Sequence, residues 1–200
     1  WKSQNFSISS IYSRFHSVKF VNENTGYIVG GHFEYSAMNN DYYCSYFIKT
    51  TNGGTDWITV SSSNGSSEYC YYVLLVNKDT LYLTQNGNWF QGTSGILEKS
   101  DDGGNTFPSY YSDNNHFYSI HFINYFTGWV SAYSSTDAAF TDCSFLYKTT
   151  NAGTNWFIQR KDSSNINASR IYNIMFTDEN TGYALGQRSI NEYTRFSRSR

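Results

Sequence analysis

A short polar segment with adjacent small residues occurs three times in the sequence and is the first place where chemistry could occur. The three copies are Lys49–Trp57, Lys99–Phe107 and Lys148–Trp156. In the second copy, Asp101 and Asp102 stand beside two glycines, a composition that could hold a cation or a phosphate. The other two copies have asparagine at the position of Asp102, which an acidic ligand set would not tolerate. The segment is therefore interpreted as a structural turn, and no metal is expected there.

Other carboxylates could serve a glycoside hydrolase, which uses two acids that face each other across a cleft. The candidates are Glu34, Asp41, Asp113, Asp137 and Asp142, all in predicted loops. Their spacing does not pair them, and acids in loops are usually solvated. A glycoside hydrolase is kept as an alternative function, but no catalytic residue is assigned.

The cysteines and histidines do not have the spacing of a metal site, since the sequence has no CxxC and its histidines are not clustered beside the cysteines. Cys44 and Cys143 each precede a repeated lysine by five residues, so they occupy equivalent positions in different units. Cys70 begins the strand after the first turn and is the better partner for Cys44. We predict a Cys44–Cys70 disulfide, with free buried thiols as the alternative. No cofactor is expected.

The spacing of the copies indicates how the chain is organised. Lysines 49, 99 and 148 are 50 and 49 residues apart, and a further start at Arg198-Ser199 follows 50 residues later. A fixed period of this length indicates stacked supersecondary units. In each unit an apolar alternating run leads into the turn and an aromatic residue follows, which predicts a strand, a tight hairpin and a second strand. Without any 3.6-residue period, the prediction is an all-β β-propeller of four-stranded antiparallel blades.

The repeated turn resembles the Asp-box, also called the BNR repeat, with the pattern Ser/Thr-x-Asp/Asn-x-Gly-x-x-Trp/Phe. A second repeated phrase, in which a phenylalanine is followed by an Asp or Asn and then by Gly-Trp or Gly-Tyr, begins at Phe20, Phe122 and Phe176. With both features, the chain is similar to the propellers of the photosystem II assembly-factor type, and it also resembles those of sortilin-type receptors and sialidases. The resemblance covers nearly the whole chain.

The resemblance implies structural roles for three residues in each copy. The polar residue and the glycine close the turn, and the trailing aromatic packs between neighbouring blades. These residues are Asn52, Gly54 and Trp57, then Asp102, Gly104 and Phe107, then Asn151, Gly153 and Trp156. Sialidase activity is not expected, because it needs a cluster of three arginines and Arg14 is the only arginine before Arg160.

The predicted boundaries describe one propeller domain over residues 1–200. Residues 1–10 form an outer strand, residues 11–60, 61–111 and 112–160 form complete blades, and residues 161–200 form an incomplete blade. The outer strand could complete the last blade and close a four-bladed ring. The preferred interpretation is an arc of a larger propeller, because the related families have more blades. Assembly of copies by pairing of open blade edges is a further alternative.

Long loops between the second and third strands of the blades form the predicted binding surface. Equivalent loops project from one face of a propeller, and their tyrosines and tryptophans suit carbohydrate or protein surfaces. The candidate residues are Phe33, Tyr35, Tyr42, Tyr43, Trp89, Phe90 and Tyr133. The alternative is that these aromatics pack onto their own loops. The expected function is non-catalytic binding or scaffolding of a protein or glycan partner.

The composition limits the classes of binding partner and the cellular location that are expected for this protein. A net charge of −2 and a pI near 6.1 give no electrostatic case for binding nucleic acid or an anionic membrane. No apolar run is long enough to span a membrane. A surface rich in Ser, Asn, Tyr and Thr and poor in Lys and Glu indicates a secreted protein, either extracellular or periplasmic.

Overall fold

The computed structural model describes residues 14–34, 42–63, 69–77, 79–86, 95–136, 141–163 and 169–188. These ranges consist of β-strands and the turns between them, so the predicted all-β class is confirmed. Across the same ranges, no helix is long and apolar enough to cross a membrane.

Within these ranges, fourteen strands form four antiparallel sheets, which we name blades 1 to 4. Blade 1 contains β1 (Arg14–Phe20), β2 (Gly26–Glu34), β3 (Tyr42–Thr50) and β4 (Ile58–Ser63). Blade 2 contains β5 (Tyr69–Leu75), β6 (Leu81–Asn86), β7 (Gly95–Ser100) and β8 (Ser109–Asp113). Blade 3 contains β9 (His116–Phe122), β10 (Gly128–Thr136), β11 (Thr141–Thr149) and β12 (Phe157–Ser163). Blade 4 contains β13 (Ser169–Phe176) and β14 (Gly182–Arg188).

Each blade is a meander in which neighbours in the chain are neighbours in the sheet. The turns after the first and third strands therefore lie at one end of every blade, which we call the turn end. The second strand of each blade ends at the opposite end, which we call the loop end, and in blades 1 to 3 the third strand begins there. The repeated glycine segments therefore lie at the other end of these blades from the strand ends that flank the predicted binding loops.

The second and third strands of blades 1 and 3 are longer than the sequence indicated. In blade 1, Phe33 pairs with Tyr43 and Glu34 pairs with Tyr42, within a segment predicted to be loop. In blade 3, the pairing of β10 with β11 continues to Thr136 and Thr141. Alternating polar and aromatic residues are equally compatible with a solvated hairpin, and this is why the loop prediction was wrong at these positions.

The hydrophobic core lies between consecutive blades. Tyr27, Val29 and Phe47 of blade 1 pack with Val73 and Leu83 of blade 2, and a second cluster joins blade 2 to blade 3. Burying one such side chain contributes about 1.5–3 kcal/mol. The first strand of each following blade crosses the first three strands of the blade before it, so β1, β5, β9 and β13 are innermost.

Candidate functional site

A buried hydroxyl is the centre of each repeated turn. We name residues 50–57, 100–107 and 149–156 repeat turns 1, 2 and 3. In repeat turn 2, Ser100 Oγ donates to Asp102 Oδ1 at 2.8 Å and accepts the backbone N–H of Gly104 at 2.9 Å. Asp102 Oδ1 in turn accepts the backbone N–H of Thr106 at 2.9 Å, and Asp102 Oδ2 accepts the Thr106 hydroxyl at 2.7 Å. The serine and the acid thus close the turn from two sides.

The other two turns repeat this network with threonine and asparagine. Thr50 and Thr149 donate to Asn52 and Asn151 at 3.1 and 3.0 Å, and they accept the N–H groups of Gly54 and Gly153 at 2.9 and 3.0 Å. The three hydroxyl-bearing residues are buried, at 0–1% exposure. The sequence singled out the Asp/Asn position but gave no role to these hydroxyls.

The hydrogen bonds account for the electrostatics of Asp102. The Thr106 N–H and hydroxyl and the Ser100 hydroxyl stabilise the carboxylate and lower the pKa of Asp102 to about 2. An acid held ionised by neighbouring donors is a poor proton donor at neutral pH. The chemistry of the turn is therefore that of a structural corner.

The backbone of each turn needs positive φ at two positions. Gly53 and Gly54 have φ of 68° and 87°, and Gly103 and Gly104 have 69° and 82°. In repeat turn 3 an alanine, Ala152, takes the first of these positions with φ of 54°. An L-residue in this left-handed region carries a cost of about 1–2 kcal/mol, so repeat turn 3 is more strained than the other two.

A second kind of turn joins the first two strands of every blade. In each, a side-chain oxygen accepts the backbone N–H groups of the residues two and three positions later, at 2.7–2.9 Å. We call these the Asx turns; their acceptors belong to Asn22, Asn77, Asn124 and Asp178. The copy at Asn77 was missed in the sequence because Leu81 replaces the glycine of the other three. The signal that remained was an asparagine three residues before a threonine, as at Asn22 and Asn124.

The two kinds of turn are fixed to each other within each blade. The N–H of Gly53 donates to the carbonyl oxygen of Asn24 at 2.8 Å, and the N–H of Gly103 donates to that of Asp79 at 2.7 Å. Blade 3 has the same bond from Ala152 to Phe126, at 3.0 Å. The turn end of blades 1, 2 and 3 is consequently a single hydrogen-bonded unit.

The repeat turns also join consecutive blades. Tyr27 of blade 1 donates its hydroxyl to the carbonyl oxygen of Gly103 at 3.0 Å, and Tyr82 of blade 2 donates to that of Ala152 at 2.9 Å. The tyrosine rings also take part in stacking: Tyr82 lies parallel to Phe122 with ring centres 4.6 Å apart. The same position in blade 3 is Trp129, which stacks on Phe176 of blade 4 at 3.9 Å.

The lysines that mark the repeat in the sequence reach the next blade as well. Each lies on the third strand, and its ammonium group meets a carbonyl, a ring or a carboxylate of the following blade. The contacts are Lys49 Nζ to the Gly103 carbonyl oxygen at 3.0 Å, Lys99 Nζ over the Tyr125 ring at 5.4 Å, and Lys148 Nζ to Glu179 at 3.4 Å. The sequence identified these lysines as repeat markers but not as contacts between blades.

The trailing aromatics of the turns lie in comparable but not identical surroundings. Phe107 packs edge-on against Phe47 of the preceding blade, with ring centres 5.5 Å apart. Trp156 packs edge-on against Phe122 of its own blade and belongs to the core shared with blade 2. Trp57 packs edge-on against Phe20 of blade 1.

The predicted binding residues fall into three groups. Tyr35, Trp89 and Phe90 lie outside the described residues. Phe33, Tyr42 and Tyr43 lie on paired backbone at the loop end of blade 1, and their role stays a prediction. The seventh residue, Tyr133, is on β10 and is buried, so its ring is not an exposed contact surface.

Tyr133 is instead covered by an arginine from the next blade. The guanidinium carbon of Arg170 lies 4.4 Å from the centre of the Tyr133 ring, and Nη2 donates to the Tyr133 hydroxyl at 3.2 Å. Tyr118 and Tyr172 meet edge-on with ring centres 5.5 Å apart. Burial acts to lower the pKa of Arg170, but the hydrogen bond to Tyr133, together with Tyr118 and Tyr172, outweighs it, so this pKa is raised. We call Tyr118, Tyr133, Arg170 and Tyr172 the tyrosine–arginine cluster. It lies towards the loop end of blades 3 and 4.

The charge of the innermost strands has one sign. Strands β1, β5, β9 and β13 contain no Asp or Glu. Their basic residues and histidines are Arg14, His16, Lys19, His116, His121 and Arg170. Burial lowers the pKa of His116 and of His121, and the nearby charges of Arg170 and Lys19, respectively, lower them further. At neutral pH these strands therefore carry three cations, Arg14, Lys19 and Arg170, and no acid, although the whole chain has a net charge of −2.

Of the five candidate catalytic acids, only Asp113 has a described side chain. Its Oδ2 accepts the hydroxyl of Tyr147 at 2.5 Å and that of Tyr111 at 3.4 Å, and Asn115 donates to the Tyr147 hydroxyl at 2.6 Å. Burial raises the pKa of Tyr147, and the bond to Asp113 raises it further, so the phenol stays a donor. This polar group joins blades 2 and 3 at the loop end. In the described ranges, His, Cys, Asp and Glu side chains do not form a group of three that could hold a metal ion.

The predicted cysteine pair lies on described backbone, with Cys44 on β3 and Cys70 on β5, and the disulfide stays a prediction. Cys143, on β11, is partly buried and is a free thiol. It pairs in register with Ser134 of β10.

A concave region of about 330 Å³ lies between blades 2 and 3. Its walls include Tyr82, Tyr111 and Trp156, and Lys99 also lines it. Because Tyr82 and Trp156 already pack in the contact between these blades, the aromatic faces here are mainly part of the core.

No family model and no curated protein matches the sequence. Among solved structures, YCF48 from Cyanidioschyzon merolae is 13% identical with a TM-score of 0.53, over 86% of this chain and 48% of that one. A GH43 β-1,3-galactosidase is 9% identical with a TM-score of 0.53, over 92% of this chain and 43% of that one. A structure of YCF48 bound to D1 peptide aligns at 15% identity, over 96% and 83% of the two chains, with a TM-score of 0.42, too low to support a common fold.

The chain thus spans less than half the length of the first and second of these structures. Their sequence identities to this chain are too low for the activity of either protein to be inferred for it. The similarity is one of backbone fold alone. Together with the four consecutive antiparallel sheets, it establishes the fold: the chain is a β-propeller protein with about four blades.

Proposed function

We propose that this chain is a non-catalytic binding or scaffold propeller whose protein or glycan partner engages the loop end and carries carboxylate groups. One observation supports this most directly. The innermost strands carry cations and no acid although the whole chain has a net charge of −2, and Arg170 lies among three tyrosines towards the loop end.

The chemistry of the cluster favours an anionic group. A guanidinium presents planar donors that match a carboxylate, and aromatic rings provide flat contact area beside it. The inner strands extend the positive charge through Arg14 and Lys19 without an acid of their own. An acidic peptide or an acidic sugar would contact both the positive charges and the tyrosine rings, whereas a neutral ligand would gain only the contact with the rings.

The turn end supports a structural role for the repeated segments. We propose that repeat turns 1 to 3 belong to the Asp-box class, since their hydroxyl, Asp/Asn and glycine positions form the same network three times. The resemblance to assembly-factor propellers favours a protein over a glycan partner. The expected setting outside the cytoplasm stays a proposal based on composition.

Two rival functions remain as outcomes of the test. A glycoside hydrolase would need a facing carboxylate pair, and the one described candidate, Asp113, bonds two tyrosine hydroxyls. Assembly by edge pairing would involve residues 1–10 and 193–199, which lie outside the described residues.

The test is a binding screen of the purified chain against neutral and acidic glycans and against peptides of different charge, followed by pull-down from a native secretome. We expect acidic ligands to bind and affinity to fall with added salt. Arg170→Gln should weaken binding about tenfold to a hundredfold, because a hydrogen bond to a charged group is worth about 1.5–3 kcal/mol.

The matched control is Arg160→Gln, which removes the same charge from the exposed surface of β12. It should leave affinity unchanged. Equal losses in the two variants, or a preference for neutral ligands, would refute the proposed surface. Hydrolysis of any glycan on the array would favour the hydrolase instead.

A further inference from the structure

The cavity of about 330 Å³ between blades 2 and 3 has the size of a small ligand pocket. It lies at the turn end, with Leu97, Lys99, Pro108 and Tyr111 of blade 2 on one side and repeat turn 3 of blade 3 on the other. All of its lining residues are described and belong to these two blades. Its walls therefore do not depend on the chain before β1 or after β14.

A shorter side chain keeps this cavity open. Leu97 and Phe47 occupy the same register position on the third strands of blades 2 and 1. Between blades 1 and 2, the Phe47 ring packs directly on repeat turn 2, where a Cβ added to Gly104 would lie 2.6 Å from it. Around Gly153, the equivalent glycine of repeat turn 3, the three nearest atoms to such a Cβ do not belong to Leu97. Leucine thus leaves a space that phenylalanine occupies one blade earlier.

The hydroxyl groups of the lining residues are set to accept hydrogen bonds from a ligand. Tyr82 donates its proton to the carbonyl oxygen of Ala152 at 2.9 Å, and Thr154 donates its proton to that of Asn151 at 2.9 Å. Because these protons are used within the protein, only the oxygen lone pairs remain for a ligand.

The same lining also carries donors. Among the described residues, the buried Nε1 of Trp156 has no hydrogen-bond partner, and a donor of this kind calls for an acceptor. Lys99 adds its ammonium group, whose charge is balanced by Asp101 at 2.9 Å. The cavity therefore combines donors and acceptors without a net charge.

We propose that this cavity binds a neutral sugar ring of a glycan, as a second site apart from the loop end. A sugar hydroxyl both donates and accepts, so it suits a lining that offers both functions. The apolar face of the ring meets the aliphatic side chains of Leu97 and Pro108. A carboxylate only accepts, and Asp101 already balances Lys99, so an acidic ligand suits the tyrosine–arginine cluster better than this cavity.

Two exposed rings extend the site beyond the cavity. Tyr125 and Phe126 are 41% and 60% exposed and stand perpendicular, with ring centres 5.1 Å apart. They adjoin the lining, because Lys99 Nζ lies 5.4 Å from the centre of the Tyr125 ring and the Phe126 carbonyl oxygen accepts the N–H of Ala152. The Asx turns of blades 1 and 4 have glutamate and asparagine at these two positions. Flat exposed rings suit the next sugar unit of an oligosaccharide.

The first test is a nuclear magnetic resonance titration of the isotope-labelled chain with neutral sugars. The panel contains glucose, galactose, mannose and N-acetylglucosamine, together with lactose and cellobiose. The readout is the set of indole N–H signals of the five tryptophans, in which Trp156→Phe and Trp57→Phe identify their own signals by loss. We expect at least one sugar to shift the Trp156 signal in a saturable way and to leave the Trp57 signal in place. No saturable shift with any of these sugars would overturn the proposal.

Three variants then test the contacts. Leu97→Phe places the residue of blade 1 in the cavity and should weaken binding of the best sugar at least about tenfold. Trp156→Phe gives repeat turn 3 the aromatic residue of repeat turn 2 and removes the donor, so the loss should be about twofold to tenfold. Phe126→Asn restores the residue of blades 1 and 4 and should weaken disaccharides more than monosaccharides. Because Phe126 is exposed, this variant keeps the proposal testable if Leu97→Phe folds poorly.

The matched controls separate this site from the loop end. Trp57→Phe makes the same change in repeat turn 1 and should leave sugar affinity unchanged. Arg170→Gln should also leave it unchanged while it weakens acidic ligands, so failure of one site does not decide the other. Equal losses in Trp156→Phe and Trp57→Phe, or full affinity in a folded Leu97→Phe, would overturn the proposal. Neutral peptides that shift the Trp156 signal when sugars do not would show a peptide site and would equally overturn it.

Discussion

The hydroxyl of Tyr82 donates a hydrogen bond of 2.9 Å to the carbonyl oxygen of Ala152 and so ties blade 2 to the repeat turn of blade 3. Burial raises the pKa of Tyr82, and the charge of Asp101 raises it further, so the phenol remains a donor up to strongly alkaline pH. Tyr27 makes the equivalent bond to Gly103 between blades 1 and 2, whereas between blades 3 and 4 the same position is Trp129, which stacks on Phe176. The ring supplies packing, and the hydroxyl fixes the position of the next blade along the sheet.

Removing this hydroxyl should destabilise the protein without disturbing the core. Tyr82→Phe keeps the ring and leaves the Ala152 carbonyl without its donor, which should lower the free energy of unfolding by about 0.5–1.5 kcal/mol. Chemical denaturation followed by tryptophan fluorescence measures the change. Tyr125→Phe, at an exposed residue of the Asx turn in blade 3, is the control and should be neutral. Equal losses in the two variants would mean that the hydrogen bond between Tyr82 and Ala152 does not contribute to the free energy of unfolding.

The buried hydroxyl of a repeat turn should matter more than an exposed one. Ser100→Ala removes the acceptor for the Gly104 N–H and the donor to Asp102, and it leaves a buried amide unsatisfied. We expect a loss of about 1–3 kcal/mol in the free energy of unfolding. Ser112→Ala, on the exposed side of β8, should change it by less than about 0.5 kcal/mol. A loss confined to the control would refute the role given to Ser100.

The strained alanine of repeat turn 3 offers a stabilising substitution. Ala152→Gly relieves a φ of 54°, worth about 1–2 kcal/mol, against about 0.5–1 kcal/mol for the greater freedom of glycine in the unfolded chain. The net expectation is a gain of about 0–1.5 kcal/mol in the free energy of unfolding, seen as a higher melting temperature. The reverse change at the equivalent position, Gly53→Ala, should destabilise, since its new Cβ would meet the Glu23 carbonyl oxygen at 3.0 Å. A lower melting temperature for Ala152→Gly would show that the alanine methyl contributes more than the strain removes.

Acid should destabilise the protein in part through His116. Burial and Arg170 lower the pKa of His116 in the folded state, so the folded protein favours the neutral imidazole. Its contribution to stability is complete above the unfolded pKa of about 6.5 and is lost as the pH falls through the lower folded value. His116→Gln should therefore flatten the fall in melting temperature between neutral and mildly acidic pH. If the melting temperature of His116→Gln falls with pH as steeply as before, other titrating groups cause the fall.

A separate pH window belongs to Asp102. Its pKa of about 2 in the folded state lies below the ordinary aspartate value of 3.8, so the stability from its ionised form is present above about pH 4 and is lost between about pH 4 and 2. Asp102→Asn restores the residue type of repeat turns 1 and 3 and removes this titration. We expect little change in melting temperature at neutral pH and a shallower fall in strong acid. A large loss at neutral pH would mean that the second carboxylate oxygen, bonded to the Thr106 hydroxyl, is essential to the turn.

The periodic features of the fold could be predicted from the sequence, because they depend on local patterns. Glycine pairs, alternating apolar runs and a spacing near fifty residues are enough to specify strands, hairpins and stacked units. The copy of the Asx turn at Asn77 was missed because a single leucine replaced the glycine that defined the pattern. The extension of β2, β3, β10 and β11 was missed because strand pairing depends on register, which alternating polar residues do not reveal.

The trailing aromatics were expected to pack between blades, but the specific residue pairs that join the blades could not be predicted, because they lie far apart in the chain. Tyr82 and Ala152 are separated by 70 residues, and no local pattern links them. Tyr133 was assigned to an exposed surface because it is a polar aromatic near a loop, yet Arg170 of the next blade covers it. The absence of acids from the innermost strands was also missed, because it is visible only when the compositions of all four strands are compared.

The repeated contacts between consecutive blades have a consequence for how the chain could have arisen and how its number of blades could change. Within the described residues, blades 1 to 3 each carry both halves of this connection, which are an aromatic residue at the second position of the second strand and the carbonyl oxygen at the first positive-φ residue of the repeat turn. Duplication of any stretch of about fifty residues would therefore create a new blade already equipped to bind the blades before and after it. Growth or loss of whole units would require no invention of new contacts, and loop-end residues could diverge freely while the ring enlarged or shrank.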